Sequence, residues 1–500
     1  MIGDFYRLIG SLLIISDQFS LHTLDSRDPH DTRVWPDEVA ATTANRRRIG
    51  VRSEVLRHIS RRQARRSMSS SMESVAEHAQ PKTSVRWKIF LILLLLVTVN
   101  YVDRASLSVA MPLLAREFSL TPVMQGLILS SFFWSYTLMQ MPGGMLVDRF
   151  KPRLVLALCT LFWGGFQGLA ALTTSAVGLL LTRVGLGIAE APVAAAGGAL
   201  NASWLTQHER VRGASLMDGG SPLGAAVGSL LIAWLILVAH SWRAAFAIAG
   251  IGTILCGVGA WFYIKNHPRE HSGVNDAEAE HIELAQAREY AKEAKNLSGR
   301  SRDFFKYRSV LLMFVGFMCC TTLYYGLLTW MPTYLHKVHG FDLKEMGNAS
   351  FVIFVCGFIG ELVGGYISDK WLASGAAPNL VMRVMFGIAG VVATISVFCV
   401  AYASSPRMVV ILLSATLFFL RWGGLYWSIP AMLATRNKVG ALGGLLNFGG
   451  NLGGMVIPIV VGAIVQYTGS YFLALMCFAA MGVGLFVCSI GIDYETKIPV

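Results

Sequence analysis

The chain of 500 residues is 54% hydrophobic and only 14% charged, with a mean hydropathy of +0.54, which excludes an ordinary soluble domain, where charged residues make up about 25%. Its net charge of +12 does not point to nucleic acid, because a membrane protein gathers Lys and Arg in the loops that orient it. The eight cysteines lie in apolar runs without C-x-x-C spacing, so they read as small core residues, not as metal ligands or disulfide partners.

Residues 1–85 differ from everything after them. The stretch RRRIGVRSEVLRHISRRQARRS (46–67) concentrates Arg without an apolar stripe wide enough to pack. The patch LIGSLLII (8–15) is shorter than the roughly 18 to 20 residues that span a bilayer, and Asp4 before it and the lack of a small-residue cleavage site after it argue against a signal peptide. The segment reads as a disordered, Arg-rich cytoplasmic tail, or, if translation begins at Met68 or Met72, as a stretch that is not made.

Twelve apolar spans follow, near 87–111, 122–147, 154–173, 176–200, 211–238, 243–264, 305–335, 347–369, 380–402, 408–434, 440–467 and 470–492. One long polar insertion divides them six and six, and its middle, DAEAEHIELAQAREYAKEAK, has the Ala, Glu and Lys content of a surface helix. The expected fold is an all-α membrane protein of 12 transmembrane helices in two pseudo-symmetric six-helix bundles, 86–268 and 305–493, joined by a linker at 269–304 and followed by a short tail at 494–500. The basic loops DRFKPR (148–153), HERVR (208–212) and TRNK (435–438) fall on the side of the Arg-rich tail, which places that side and both termini in the cytoplasm of a cell bounded by this inner membrane.

The halves repeat. GGMLVDRF (143–150) follows span two and GGYISDKW (364–371) follows span eight, so Asp148 and Asp369 stand 221 residues apart. The Met-Pro pairs at 111–112 and 331–332 give an offset of 220. Two unrelated signals at nearly one offset indicate a parallel duplication, an architecture whose site lies at the midplane between the bundles.

Five charges, Asp103, Arg104, Arg183, Glu190 and Arg421, fall inside spans. At about 2.5 to 3.5 kcal/mol each they would cost roughly 15 kcal/mol unpaired, and intramembrane charges face one another or a cavity. Mutual neutralisation as helix glue is the alternative to function. Arg183 and Glu190 are two turns apart and share a face of span four, with Gly187 between them permitting close approach. Tyr101 and Arg104 share a face of span one, whereas Asp103 is turned by about 100°. Arg keeps its charge at any working pH and offers a fork matched to a carboxylate, so Arg104 is the candidate anchor for an anionic substrate. Buried carboxylates exchange protons near neutral pH, so Asp103 and Glu190 are the candidate proton carriers, with Arg183 holding Glu190 ionised in one state and releasing it in another. Tyr136, Gln140, Tyr325, Ser428, Asn447 and Asn451 are candidate partners for substrate hydroxyls, or helix glue. Glu361 lies two turns before Asp369 and is assigned to a cytoplasmic gate with Asp148, Arg149, Arg153, Asp369 and Lys370.

The loop from Gly144 to Arg153 and its copy from Gly365 to Lys370 resemble the paired signature loops of the major facilitator superfamily, over residues 85–495. More narrowly, N-Y-V-D-R in span one, R-V-G-L-G-I-A-E-A-P (183–192) in span four and T-W-M-P-T-Y-L (329–335) in span seven resemble the anion:cation symporter family. Its bacterial members import sugar acids and related organic anions, and relatives include sialin and the vesicular glutamate carriers. The resemblance implies the same assignment of roles, protons at Asp103 and Glu190 and the anion at Arg104. In span five, SLMDGGSPLGAAVG (215–228) sets Asp218 and Ser221 where several relatives carry Asn and Gln, so the substrate is one that tolerates an added carboxylate, either not a dianion or one with a cationic or hydroxyl-rich end.

The expected function is proton-driven symport of a small organic anion, a hexonate, hexuronate or aldarate, by a monomer that needs no cofactor beyond the proton. An exchanger or efflux carrier is the alternative within transport, and a non-transporting sensor the alternative outside it. No H-E-x-x-H, G-x-S-x-G or P-loop pattern supports an enzyme.

Overall fold

The computed structural model describes residues 81–293, 301–434 and 438–498. The tail reading therefore lies, up to residue 80, outside the described residues. The described residues form helices and their connections, with no strand among them. Span one is Val85–Glu117, two Pro122–Phe150, three Pro152–Ala170, four Ala176–Trp204, five Arg210–Ala239 and six Trp242–Tyr263; seven is Arg308–His339, eight Leu343–Ala373, nine Pro378–Val400, ten Pro406–Leu433, eleven Val439–Thr468 and twelve Phe472–Gly491. Eleven are long and apolar enough to cross a membrane. Span two has 29 residues but is less apolar, because Gln125, Ser130, Ser131, Ser135, Tyr136 and Gln140 lie along it.

Local chemistry sets the helix ends. Span two starts where Thr121 accepts a bond from the Met124 N–H and Pro122 occupies the first turn, and span eight starts with a reciprocal capping box between Asp342 and Glu345. Three spans are interrupted. Span four breaks between Glu190 and Pro192, span five at Gly219 directly after Asp218, and span ten passes into a 3-10 stretch over Arg421–Ser428. Each break adjoins a charged residue within a span, Glu190 buried and Asp218 and Arg421 partly exposed, and mid-helix 3-10 segments mark hinges or functional sites.

Packing reproduces the duplication. In the first half span one lies on five, two on four and three on six; in the second, seven lies on eleven, eight on ten and nine on twelve. The halves meet through the matching pairs two with eleven and five with eight, and through one with seven. Spans two and eleven run antiparallel, and their contact is a ladder: Gly462 against the Pro122 carbonyl, Gly126 against the Pro458 carbonyl and Gly454 against the Phe133 ring. Only glycine permits these approaches. The ladder stops midway, since a Cβ on Gly144, Gly443 or Gly444 would meet nothing within 4 Å. Gly347 likewise stands against Ala233 where spans five and eight meet at the same end as Pro122. The bundles are therefore closed at the face of the Pro122 end, here called the far face, and diverge toward the terminal face, which carries the start of span one and the end of span twelve.

The linker helix, Asp276–Glu293, forms as expected from its composition, but one side of it is buried. Glu278 accepts bonds from the Val85 N–H (3.2 Å) and Arg86 Nη1 (2.7 Å), satisfying donors at the start of span one. Gln286 donates to the carbonyls of Ala202 (3.0 Å) and Ser203 (2.9 Å) at the end of span four. The helix thus straps two ends of the first bundle.

Candidate functional site

Span one delivers two charges into different surroundings because adjacent residues on a helix point about 100° apart. Asp103 turns into its own bundle. Its Oδ2 accepts from Trp163 Nε1 of span three and Thr253 Oγ1 of span six, both at 2.8 Å. Both donors reach it because spans three and six approach through Gly164 and Gly250, where a Cβ on either would collide with the opposite carbonyl. Its second oxygen, Oδ1, is buried without a partner among the described residues.

Arg104 turns toward span four. Its Nε and Nη2 both stand 3.0 Å from Glu190 Oε2, with the two side chains 7% and 0% exposed, so the pair is out of bulk water. The guanidinium carbon also stands 4.6 Å from the centre of the Tyr101 ring, 4.4 Å from Phe132 and 4.8 Å from Tyr136. Three rings from spans one and two thus surround one cation, a setting that suits arginine. Gly187 performs the expected service, since a Cβ there would collide with the Phe132 carbonyl and Ser135 Oγ of span two. Glu190 Oε1 has no partner among the described residues.

In this conformation Arg183 makes no hydrogen bond to Glu190 among the described residues. It shares the face of Glu190 but donates instead to the Asp103 carbonyl (3.3 Å) and Gln167 Oε1 (2.9 Å), while Gln167 Nε2 donates to Ser106 Oγ (2.9 Å). The cause is span one, which inserts Arg104 against Glu190 and leaves Arg183 facing the backbone below Asp103. Arg183 fixes the turn that presents Asp103 and Arg104.

A second charge cluster joins the two bundles. Arg421 of span ten holds Glu361 of span eight through Nη2 at 2.6 Å and Nε at 3.1 Å, both to Oε2, and its Nη2 also lies 3.3 Å from Asp218 Oδ2 of span five. Glu361 stands in this cluster two turns from Asp369. Tyr324 lies beneath it, with the Arg421 guanidinium 5.0 Å from its ring centre.

The polar candidates divide. Tyr325 stands beside Tyr324 (ring centres 5.5 Å) and across the interface from Phe133 (4.6 Å), so it faces the cluster around Arg104. Gln140 Nε2 is buried without a partner among the described residues, and the buried Ser221 hydroxyl faces that of Tyr324. Ser428 donates to the Leu425 carbonyl (2.7 Å), and Asn451 donates to Asn447 Oδ1 (3.1 Å) and its carbonyl (2.9 Å), so these are engaged within their own helices. At the terminal face Asp148, Arg149, Asp369 and Lys370 are exposed. Arg149 lies over Phe150 and Lys370 over Tyr366, while Arg153 stacks on Trp261 and bonds its carbonyl (3.1 Å). These loops do not latch to one another in this open conformation. A cavity of about 670 Å³ lies at the far face among Arg116, Gln125, Trp330, Tyr334 and Lys337, and none of the paired charges line it.

Trp163, Gln167, Thr253, Phe132 and Tyr324 escaped the sequence reading. For Tyr324 a signal existed, because the offset of 221 residues maps Asp103 and Arg104 onto Tyr324 and Tyr325. The second bundle sets two tyrosines where the first sets two charges. For the others, a polar atom in an apolar span does not reveal which neighbour it meets.

Comparison with known proteins agrees with this architecture. The chain is 31% identical over 407 residues, 79% of its length and 88% of the relative's, to a protein of Bacillus subtilis named as a probable galactarate/D-glucarate transporter. It is 30% identical over 76% of its length to the D-galactonate transporter of Escherichia coli, and 28% identical over 77% to the hexuronate transporter of Bacillus subtilis, covering 89% of each. Among solved structures it superposes on a bacterial homologue of the lysosomal transporter Spinster, in an inward-facing conformation, and on a D-xylose–proton symporter, each with a TM-score of 0.63 over 82% of this chain and 97% or 98% of theirs. Identities of 18% and 14% make these likenesses of fold. The family model of the Major Facilitator Superfamily matches residues 93–458, and the chain belongs to that superfamily of membrane transporters.

Proposed function

We propose that this transporter is a proton-coupled symporter that imports a sugar acid, a hexonate, hexuronate or aldarate, across the bacterial inner membrane, with both termini in the cytoplasm. The observation that carries this reading is the buried Arg104–Glu190 pair inside its ring of Tyr101, Phe132 and Tyr136. A permanent cation in a desolvated aromatic setting is a carboxylate anchor, but Glu190 occupies its fork. A proton on Glu190 removes that competitor and frees Arg104 for the substrate carboxylate. The coupling is reciprocal: the proton favours the anion, and the anion, by taking Arg104, favours protonation of Glu190. Asp103, one residue away with an unpartnered Oδ1, supplies a second place for a proton at the same depth. The relatives named for galactarate, glucarate, galactonate and hexuronate support the substrate class, and Gln140, Ser221 and Tyr325 offer hydrogen bonds to its hydroxyls. With the terminal face in the cytoplasm, the conformation described is inward-open and the glycine ladder is the closed outer gate.

The experiment is to express the protein in de-energised cells and record external pH while hexonates, hexuronates and aldarates are added singly. Alkalinisation with one class, lost in Asp103→Asn, is the expected result. Uptake of labelled anion with no proton movement would overturn symport in favour of exchange.

A further inference from the structure

The cluster of Asp218, Glu361 and Arg421 is not used by the scheme above, and its geometry is unusual. One guanidinium serves two carboxylates through the same nitrogen, Nη2, at 2.6 Å from Glu361 Oε2 and 3.3 Å from Asp218 Oδ2. The two carboxylates also face one point: a Cβ on Gly424 would lie 3.4 Å from Glu361 Oε1 and 3.7 Å from Asp218 Oδ2. With all three ionised the cluster carries a surplus negative charge in the protein interior. The groups that face it from the packed elements are Tyr324 and Cys320 of span seven, whereas Phe358 and Leu417 of spans eight and ten and Val97 of span one, around Gly219, Gly357 and Gly220, are apolar. Both carboxylates reach the same guanidinium nitrogen and the same point beside Gly424, so their like charges oppose one another across a single cation.

Two further observations mark the site. The hydroxyls of Ser221, one turn beyond Asp218, and of Tyr324, under Arg421, are 3% and 4% exposed by residue and face each other beside the cluster. The cluster is also divided between the bundles: Arg421 and Glu361 belong to the second and are 12% and 13% exposed, whereas Asp218 belongs to the first, is 32% exposed and is held by the single longer contact. Asp218 sits at the break of span five and Arg421 at the start of the 3-10 segment of span ten, so both stand on backbone able to bend.

We propose that Asp218 and Glu361 share one proton over Arg421, forming a second ionisable site whose occupancy is tied to contact between the two bundles. With the proton bound, the cluster is neutral and Asp218 remains against Arg421. Its loss leaves a surplus charge, and Asp218, the more exposed and less tightly held member, withdraws. The site rests on the reading of the protein as a proton-driven carrier, and it adds a titratable contact between the halves to the proton sites within the first half.

The test uses full-length protein carrying spin labels on unnatural residues at Val211 of span five and Leu362 of span eight, both exposed. Distances are recorded from pH 5 to 9 in an Asp103→Asn/Glu190→Gln background, which removes titration at the first site. The expected result is two populations that interchange with pH, and loss of that interchange on adding Asp218→Asn or, separately, Glu361→Gln. A distribution that ignores pH in the background, or one that still responds after both changes, overturns the proposal. Should the background fail to fold, protons taken up between pH 9 and 5 are counted for the otherwise native protein and for each single variant. One proton fewer in Asp218→Asn and in Glu361→Gln is expected, and equal uptake overturns the proposal. Sugar-acid uptake by the unaltered protein is measured beside these: its absence would sink the functional reading and leave the proton count standing.

Discussion

Replacing Glu190 with Gln keeps the shape of the side chain and fixes it in the uncharged state that protonation would produce. In the structure Glu190 and Arg104 are joined by two contacts of 3.0 Å between side chains that are almost wholly buried. At an effective dielectric near 20 such a pair attracts by about 4 kcal/mol, and a substrate carboxylate competes against that attraction whenever Glu190 is ionised. Removing the charge returns part of it to the ligand. Taking about 3 kcal/mol as the recoverable share, sugar-acid affinity at pH 7.5 should rise by roughly a hundredfold, since about 1.4 kcal/mol is a factor of ten. The assay is equilibrium binding of a labelled sugar acid to purified protein at pH 5.5 and 7.5. The unaltered protein should bind more tightly at pH 5.5; Glu190→Gln should bind tightly at both. Proton-driven accumulation in proteoliposomes should be lost while exchange of labelled for unlabelled anion persists. Binding weakened more than tenfold at both pH values in a monodisperse variant would refute the reasoning, because Glu190 would then support the ligand instead of competing with it.

Arg104→Lys keeps the charge but loses the planar fork and the contact with three rings, so anion binding should fall by about 10- to 100-fold, read in the same assay; unchanged affinity would remove Arg104 as anchor. Gly462→Ala places a Cβ against the Pro122 carbonyl, which should spread spans two and eleven at the far face; labelling of a cysteine placed at Arg116 should become faster, and no change would mean that the ladder is not the gate. Asp148 is exposed and in no ion pair among the described residues in this terminal-open conformation, so Asp148→Ala should leave it intact and weaken only the opposite, terminal-closed one. Labelling at Leu138 should then increase, and equal labelling would show that the loop is not a latch.

Much of the candidate site was legible in the chain because the membrane makes charge conspicuous. Asp103, Arg104, Arg183, Glu190 and Arg421 stand out in apolar spans, and the 221-residue repeat of the GG-x3-D loops revealed two bundles. Partnership was less legible. Helical periodicity turned Asp103 away from Arg104 and set Arg183 on the face of Glu190, but it gave no sign of the cation from span one that contacts Glu190 in this conformation. Glu361 was read with the gate because Asp369 is close in sequence, and its actual contact, Arg421, is 60 residues away. Asp218 gave no sign of its partner in the other half of the chain.

The sequence alone determined the class of solvent, the number of spans, the duplication and the residues whose burial demands compensation, because those follow from hydropathy and period along a single helix. Only the tertiary structure decided which charge compensates which, and at which end the bundles part. Those depend on where helices distant in the chain come within 3 Å of one another. That approach is set by glycines such as Gly187, Gly126 and Gly462, whose meaning appears only when the opposing helix is in place.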